Sequence, residues 1–202
     1  MPFGILPSED VHVGDHIAYF WESNREFDQA VSFLVTGIAQ RDHCVIFGHD
    51  QANRRVGEVL LARGLDVAAL EATGQLTIAG SETTGDETLA KLGSVFAKAL
   101  EGGASMIRLL GNIGWGKAGW PAEDDLLLFE AKVTGAARAF PSVIVCMYDV
   151  RTLSGRVIVN GGFGTHGITV CGNVMRVNTH HVDADQTASR IRDTSALRST
   201  NP

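Results

Sequence analysis

A chain of 202 residues, 45% hydrophobic and 20% charged, holds enough apolar material for one domain with a full core and little length for a second. Its net charge of −6 and the lack of any basic run exclude a nucleic-acid surface, because neutralising phosphates takes a concentrated excess of Lys and Arg. Apolar runs such as PSVIVCMY are strand-sized and fall short of the roughly 20 residues that cross a bilayer; MPFGILPSED lacks a secretory signal, so a cytoplasmic location is expected.

In chain order, HIAYFW (16–21) predicts the first strand, and NREFDQAVSFLVTGIAQ (24–40) carries Phe27, Val31, Leu34 and Ile38 at helical spacing. Ser23 or Asn24 supplies the cap. HCVIFG (43–48) reads as a second buried strand, followed by a helix over 51–64 that ends at Gly64, a residue suited to a left-handed C-cap. A helical turn at DVAALEATG leads to the third strand, QLTIAG (75–80). After the polar loop SETTGD, the helix ETLAKLGSVFAKALEGG aligns Leu89, Leu92, Val95, Phe96 and Leu100 on one face.

SMIRLLGN (105–112) is the fourth strand, and NIGWGKAGWP is a loop rich in Gly and Trp. The helix AEDDLLLFEAKVTGAARAF opens with acidic residues that suit its positive N-terminal dipole. SVIVCMYD (142–149) is the fifth strand; a short helical segment near RTLSGRVIVNGGFG and a last strand, GITVCGN (167–173), complete the core. Residues 1–182 then form one domain, and 183–202 a polar, flexible tail. Strands nearly continuous in Val, Ile and Leu, each separated by a helix, predict a three-layer α/β/α fold around a mainly parallel sheet. Cys44, Cys146 and Cys171 sit in apolar strand contexts and read as buried free thiols.

The turn after the first strand is where such folds usually hold a nucleotide's phosphates, yet FWESNREF contains neither the phosphate-loop pattern nor the dinucleotide G-x-G-x-x-G. GWGKAG sets Lys117 among glycines at the wrong spacing; it reads as a flexible connection, or as a lid in which Trp115 and Trp120 face a small molecule. No nucleophile elbow and no C-x-x-C or H-E-x-x-H spacing occurs, so no metal site and no enzymatic activity is expected from motifs.

Several patches carry a family resemblance: GDHIAYFWESNREF, QLTIAGSETT, IRLLGNIGW, FEAKVTGAARAFPSVIVCMYDVRTLSG and GTHGITVCG. In order and spacing they resemble the MEDS domain, a sensory module of methanogens and methylotrophs, from about His12 to Val182. Asn112 stands where that family usually has Glu, and Gly167 where it usually has Pro. The resemblance implies a RecA/KaiC-like core without the Walker A loop, sensing small molecules such as hydrocarbon derivatives in signalling or transcriptional regulation. Family members stand beside helix-turn-helix or kinase-type modules; none is expected here, so output through a protein partner or self-association is anticipated.

The candidate ligand-binding residues cluster at strand ends. His16, Tyr19, Trp21 and Glu22 close the first strand, with His16 and Phe20 on one face and Tyr19 and Trp21 on the other. Asn112 and Trp115 follow the fourth strand, and Tyr148 and Asp149 end the fifth. Glu130 is either a solvated mid-helix residue or a buried carboxylate facing His16 or His166, and His166 is either a turn histidine or a switchable hydrogen-bond partner. Two other readings stay open: a degenerate RecA-like nucleotide-binding enzyme, and a metal-dependent sensor or enzyme using His16, Glu22, Asp149 or His166. The cofactor and the ligand's identity are not legible.

Overall fold

The structure, a computed structural model, describes residues 1–199, with side chains as far as residue 193. Seven strands, β1 (His16–Trp21), β2 (His43–Gly48), β3 (Leu76–Ala79), β4 (Ile107–Asn112), β5 (Ser142–Asp149), β6 (Ile168–Cys171) and β7 (Val174–Val177), lie in the order β3-β2-β4-β5-β1-β6-β7. All pairs are parallel except β6 with β7. The helices are α1 (Asn24–Ala30), α2 (Ser32–Ala39), α3 (Asp50–Ala62), α4 (Val67–Ala72), α5 (Gly85–Glu101), α6 (Glu123–Ala139) and α7 (Ala184–Ser199), with a π-helix at Val157–Phe163.

Strand parity divides the core into two apolar clusters, one on each face of the sheet, so the fold is a three-layer α/β/α sandwich. Ile17, Tyr19, Ile46, Leu110, Val145 and Met147 pack with Phe27, Phe33, Leu34, Val56 and Leu60 of α1, α2 and α3. Ala18, Phe20, Phe47, Leu109, Cys146 and Tyr148 pack with Leu92, Phe96, Leu126, Leu127 and Phe129 of α5 and α6. Strands covered on both faces need continuous apolar sequence, and β1, β2 and β4 are buried at every position. Among the described residues, no helix is long and apolar enough to cross a membrane.

Four local features differ from the sequence reading. The helix expected over 24–40 is interrupted at Val31, whose carbonyl accepts from Leu34 N at 3.0 Å and Val35 N at 3.2 Å, a tightened turn at a β-branched residue. VMRV forms an additional strand, β7, after a two-residue loop with Gly172 at φ +56°. Cys171 is exposed, at the end of β6. The segment read as a polar tail is helical over Ala184–Ser199: Asp183 caps it by accepting Gln186 N at 2.8 Å, and Thr187 is buried while Ile191 packs on the second cluster. Residues 200–202 of that tail lie outside the described residues.

On the α1–α3 face, β4 presents Arg108, fully buried. Its Nε donates to Asp42 Oδ2 at 2.7 Å, Nη1 to Pro2 O at 3.0 Å and Nη2 to Gln40 Oε1 at 3.0 Å, and its guanidinium lies 5.0 Å from the Phe33 ring. The guanidinium thus anchors the N-terminal segment, whose Phe3, Ile5, Leu6 and Val11 join the core. Gly37 permits this approach, since a Cβ there would lie 2.5 Å from Arg108 Cδ. Removing the partner carboxylate leaves a buried charge unpaired, so Asp42→Ala is expected to lower unfolding stability in urea by about 3–5 kcal/mol; a loss under about 1 kcal/mol would show the pair to be dispensable.

Candidate functional site

The sheet gathers the sequence-predicted residues in two places. His16, Glu130, Tyr148 and His166 meet beneath α6, while Trp21, Asn112, Trp115 and Asp149 line a cleft at the C-terminal ends of the strands. Tyr19 and Glu22 belong to neither. Tyr19 points into the α1–α3 face, where its hydroxyl donates to Glu26 O at 3.0 Å, and Glu22 is exposed.

The buried cluster follows from parity. β1 turns His16 and β5 turns Cys146 and Tyr148 toward α6, which contributes Glu130; His166 arrives from the connection between the π-helix and β6. Glu130 and His166 are fully buried and His16 and Cys146 nearly so. Glu130 Oε2 lies 3.3 Å from His16 Nε2, 3.6 Å from His166 Nε2 and 3.5 Å from Cys146 Sγ. Cys146 Sγ is 3.4 Å from His16 Nε2, and Tyr148 donates its hydroxyl to Glu130 Oε1 at 2.9 Å. Glu130 was open in the sequence because helical periodicity does not report what lies opposite; Cys146 was read only as an apolar thiol.

Surrounding acceptors fix both imidazole tautomers. Thr134 spends its hydroxyl proton on Thr165 O at 2.8 Å, so it accepts from His16 Nδ1 at 3.0 Å. His166 Nδ1 faces Gly161 O at 3.1 Å, and a carbonyl only accepts. Both Nε2 lone pairs therefore face Glu130. Burial is the leading influence on each group: it drives both histidines down to about 3, with the neighbouring His16 ring adding to the effect on His166, and it raises Glu130. Despite their short contacts with Glu130, both imidazole rings are thus held neutral. Among the described residues His166 Nε2 has no hydrogen-bond partner, an omission that costs about 1–3 kcal/mol in a buried group.

The π-helix shapes one wall of the cluster. A Cβ at Gly162 would lie 2.6 Å from the Phe20 ring, so only glycine lets this segment close against β1 and bring Thr165 and His166 into place.

The second place lies where β1 and β2 lead to helices on one face of the sheet while β4 and β5 lead to elements on the other. Such a divergence opens a crevice at the carboxyl ends of the strands. The cleft holds about 430 Å³ and is lined by Trp21, His49, Arg55, Asn112, Trp115, Lys117, Asp149 and Arg151, with Phe27, Met147 and Leu153 as apolar wall. Arg151 clasps Asp149 through Nε and Nη2 at 3.0 Å each. Trp21 Nε1, Asn112 Nδ2 and Trp115 Nε1 are buried donors without a partner among the described residues.

The turn between β1 and α1 is closed to anions by the chain itself. Glu26 Oε2 accepts from Glu22 N at 2.9 Å, Ser23 N at 3.0 Å and Ser23 Oγ at 2.9 Å, while Ser23 Oγ accepts from Glu26 N. This capping box occupies the backbone donors that a phosphate loop would offer. Its S-x-x-E signature, Ser23 to Glu26, is present in the sequence.

A mostly parallel α/β sheet with a cleft at its strand ends and no phosphate loop defines a three-layer α/β/α class of fold, and a more particular assignment follows from comparison. The family profile described as "MEthanogen/methylotroph, DcmR Sensory domain" matches residues 15–166, and the chain belongs to this MEDS family. Over 153 residues it is 26% identical to the transcriptional repressor DcmR of Methylorubrum extorquens, an alignment that covers 75% of this chain and 58% of that protein. The chain thus spans less than two thirds of that relative's length.

His49 caps α3 by accepting Ala52 N on Nδ1 at 3.3 Å, a role that needs the neutral ring. Burial first and the Lys117 charge second lower its pKa from 6.5 to about 4, against the opposing pull of Asp50. Between those values the unfolded chain takes up a proton that the folded chain refuses, so this contribution to stability is complete above about pH 6.5 and is lost as pH falls toward 4. An NMR titration of the His49 ring is expected to show its midpoint near 4; a midpoint near 6.5 would contradict the neutral cap.

Proposed function

We propose that this chain is a small-molecule sensory module in transcriptional regulation, which holds its ligand in the cleft at the strand ends and reports through a protein partner or by self-association. Membership of a sensory family and similarity to a repressor support the regulatory role. The observation that carries the binding site is that Trp21, Asn112 and Trp115, whose buried N–H donors have no partner among the described residues, all line one cleft of about 430 Å³. Donors of this kind become favourable when a ligand brings an acceptor, and the volume suits a small molecule.

The lining also indicates the ligand's chemistry. Met147, Leu153 and Phe27 offer an apolar wall, while Arg55, Lys117 and Arg151 outnumber Asp149. We take the ligand to be a small hydrocarbon derivative with an electronegative or anionic acceptor group. The reading places the protein in the cytoplasm, involves no catalytic step, and treats the core as RecA-like with its phosphate turn closed by Glu26. That closure weighs against the nucleotide-binding alternative.

A thermal-shift panel of short alcohols, aldehydes, carboxylates and halogenated one-carbon compounds is expected to yield at least one stabilising compound. Trp115→Phe keeps an aromatic ring and deletes the donor: it is expected to leave the free protein's stability unchanged or slightly raised, and to weaken that compound about 5- to 10-fold, the equivalent of roughly 1 kcal/mol for one hydrogen bond. A panel without any stabilising compound, or one whose binding ignores Trp115→Phe, contradicts the reading.

A further inference from the structure

The cluster beneath α6 brings two imidazoles, a carboxyl and a thiol together away from water. His16 Nε2, His166 Nε2, Glu130 Oε2 and Cys146 Sγ all lie within 4.8 Å of one another. Four of the separations are 3.3, 3.4, 3.5 and 3.6 Å; the two between nitrogen and oxygen, 3.3 and 3.6 Å, are long for hydrogen bonds, while the two to sulfur lie within its hydrogen-bonding range. These four lengths fit edges of a tetrahedron of ligands around one ion. With metal–ligand bonds of about 2.0–2.3 Å, the atoms bound to one tetrahedral ion stand roughly 3.3–3.7 Å apart.

We infer that these side chains form a closed, four-coordinate site for a divalent transition-metal ion, zinc by preference, bound through His16, Glu130, Cys146 and His166. The donor set of imidazole, thiolate and carboxylate suits zinc, and its mixture of soft and hard ligands disfavours Mg²⁺ and Ca²⁺. The outer contacts are those that a metal-bound histidine requires: each Nδ1–H is held by an acceptor, Thr134 for His16 and the Gly161 carbonyl for His166, so that each Nε2 offers its lone pair inward. Tyr148 likewise secures the far oxygen of Glu130.

An ion would also give His166 Nε2 the partner it lacks. Charge balances in this apolar setting: one carboxylate, from Glu130, and one thiolate, from Cys146, offset the double positive charge of the ion. All four protein ligands are present and buried, which is the arrangement of a structural ion; an open coordination position would mark a catalytic one. The ligands come from β1, α6, β5 and the connection after the π-helix, so the ion joins the sheet to the layer covering it. This set differs from the metal reading of the sequence, since Glu22 and Asp149 lie outside it and Glu130 and Cys146 replace them. It stands independently of the proposed ligand cleft.

The test uses the full chain, expressed in zinc-supplemented medium and purified without chelator. Elemental analysis is expected to find one transition-metal ion per chain, and X-ray absorption at the metal edge one sulfur among four ligands. After exchange, Co²⁺ is expected to give the visible absorption of a tetrahedral ion together with a thiolate charge-transfer band. Cys146→Ser is expected to remove that band, and His166→Gln to lower metal occupancy at least tenfold, whereas Cys171→Ser changes neither. Substoichiometric metal, an all-oxygen or octahedral spectrum, or a band that survives Cys146→Ser would overturn the assignment. Should Cys146→Ser fail to fold, the sulfur count in the wild-type absorption spectrum decides by itself: one sulfur supports the site and none overturns it.

Discussion

Burial of the sheet on both faces is the constraint from which the rest follows. A parallel strand covered above and below leaves a polar side chain no route to water, so every polar group placed there must be paired, neutralised or left unsatisfied at a cost in free energy. Three places in this chain show the three outcomes. Arg108 is paired, through Asp42 and the carbonyl of Pro2. His16 and His166 are held neutral around Glu130. Trp21, Asn112 and Trp115 keep donors free where the strands end and the helices diverge.

The two candidate sites are physically adjacent. Tyr148 donates to Glu130 in the buried cluster, and its ring lies 6.4 Å from that of Trp115, which lines the cleft. A change in the rotamer of Trp115 would press on the residue that orients Glu130, giving the cleft and the cluster a shared wall. The π-helix closes the other side, where Phe20 stacks on Phe163 with centroids 4.9 Å apart and Gly162 fits beneath the Phe20 ring. A sensory domain needs such linked packing, because a ligand shifts an equilibrium only by interacting differently with two arrangements.

The layers of the fold were legible because burial leaves a direct mark on composition: the boundaries of β1, β2 and β5 coincide with apolar runs bounded by polar residues. Strand order was not, since periodicity says which residues are buried and nothing about which strand lies beside which. β7 escaped notice because its residues are largely exposed, and α7 because its polar sequence buries only a narrow stripe at Thr187 and Ile191. The cluster shows the same limit in sharper form. His16 and Cys146 are separated by 130 positions and meet only because β1 and β5 pair with Ala18 opposite Cys146. Glu26, by contrast, was within local reach, and its spacing from Ser23 was enough to show that the first turn closes on itself.

The most direct measurement of the account's central claim, that the strand-end cleft holds an acceptor-bearing small molecule, is anomalous diffraction from crystals soaked in bromoacetate. The account predicts a bromine peak in the cleft against Met147 and Leu153, with the carboxylate accepting from Trp115 Nε1, Asn112 Nδ2 or Trp21 Nε1. Bromine bound only outside the cleft, or found nowhere ordered, would contradict it.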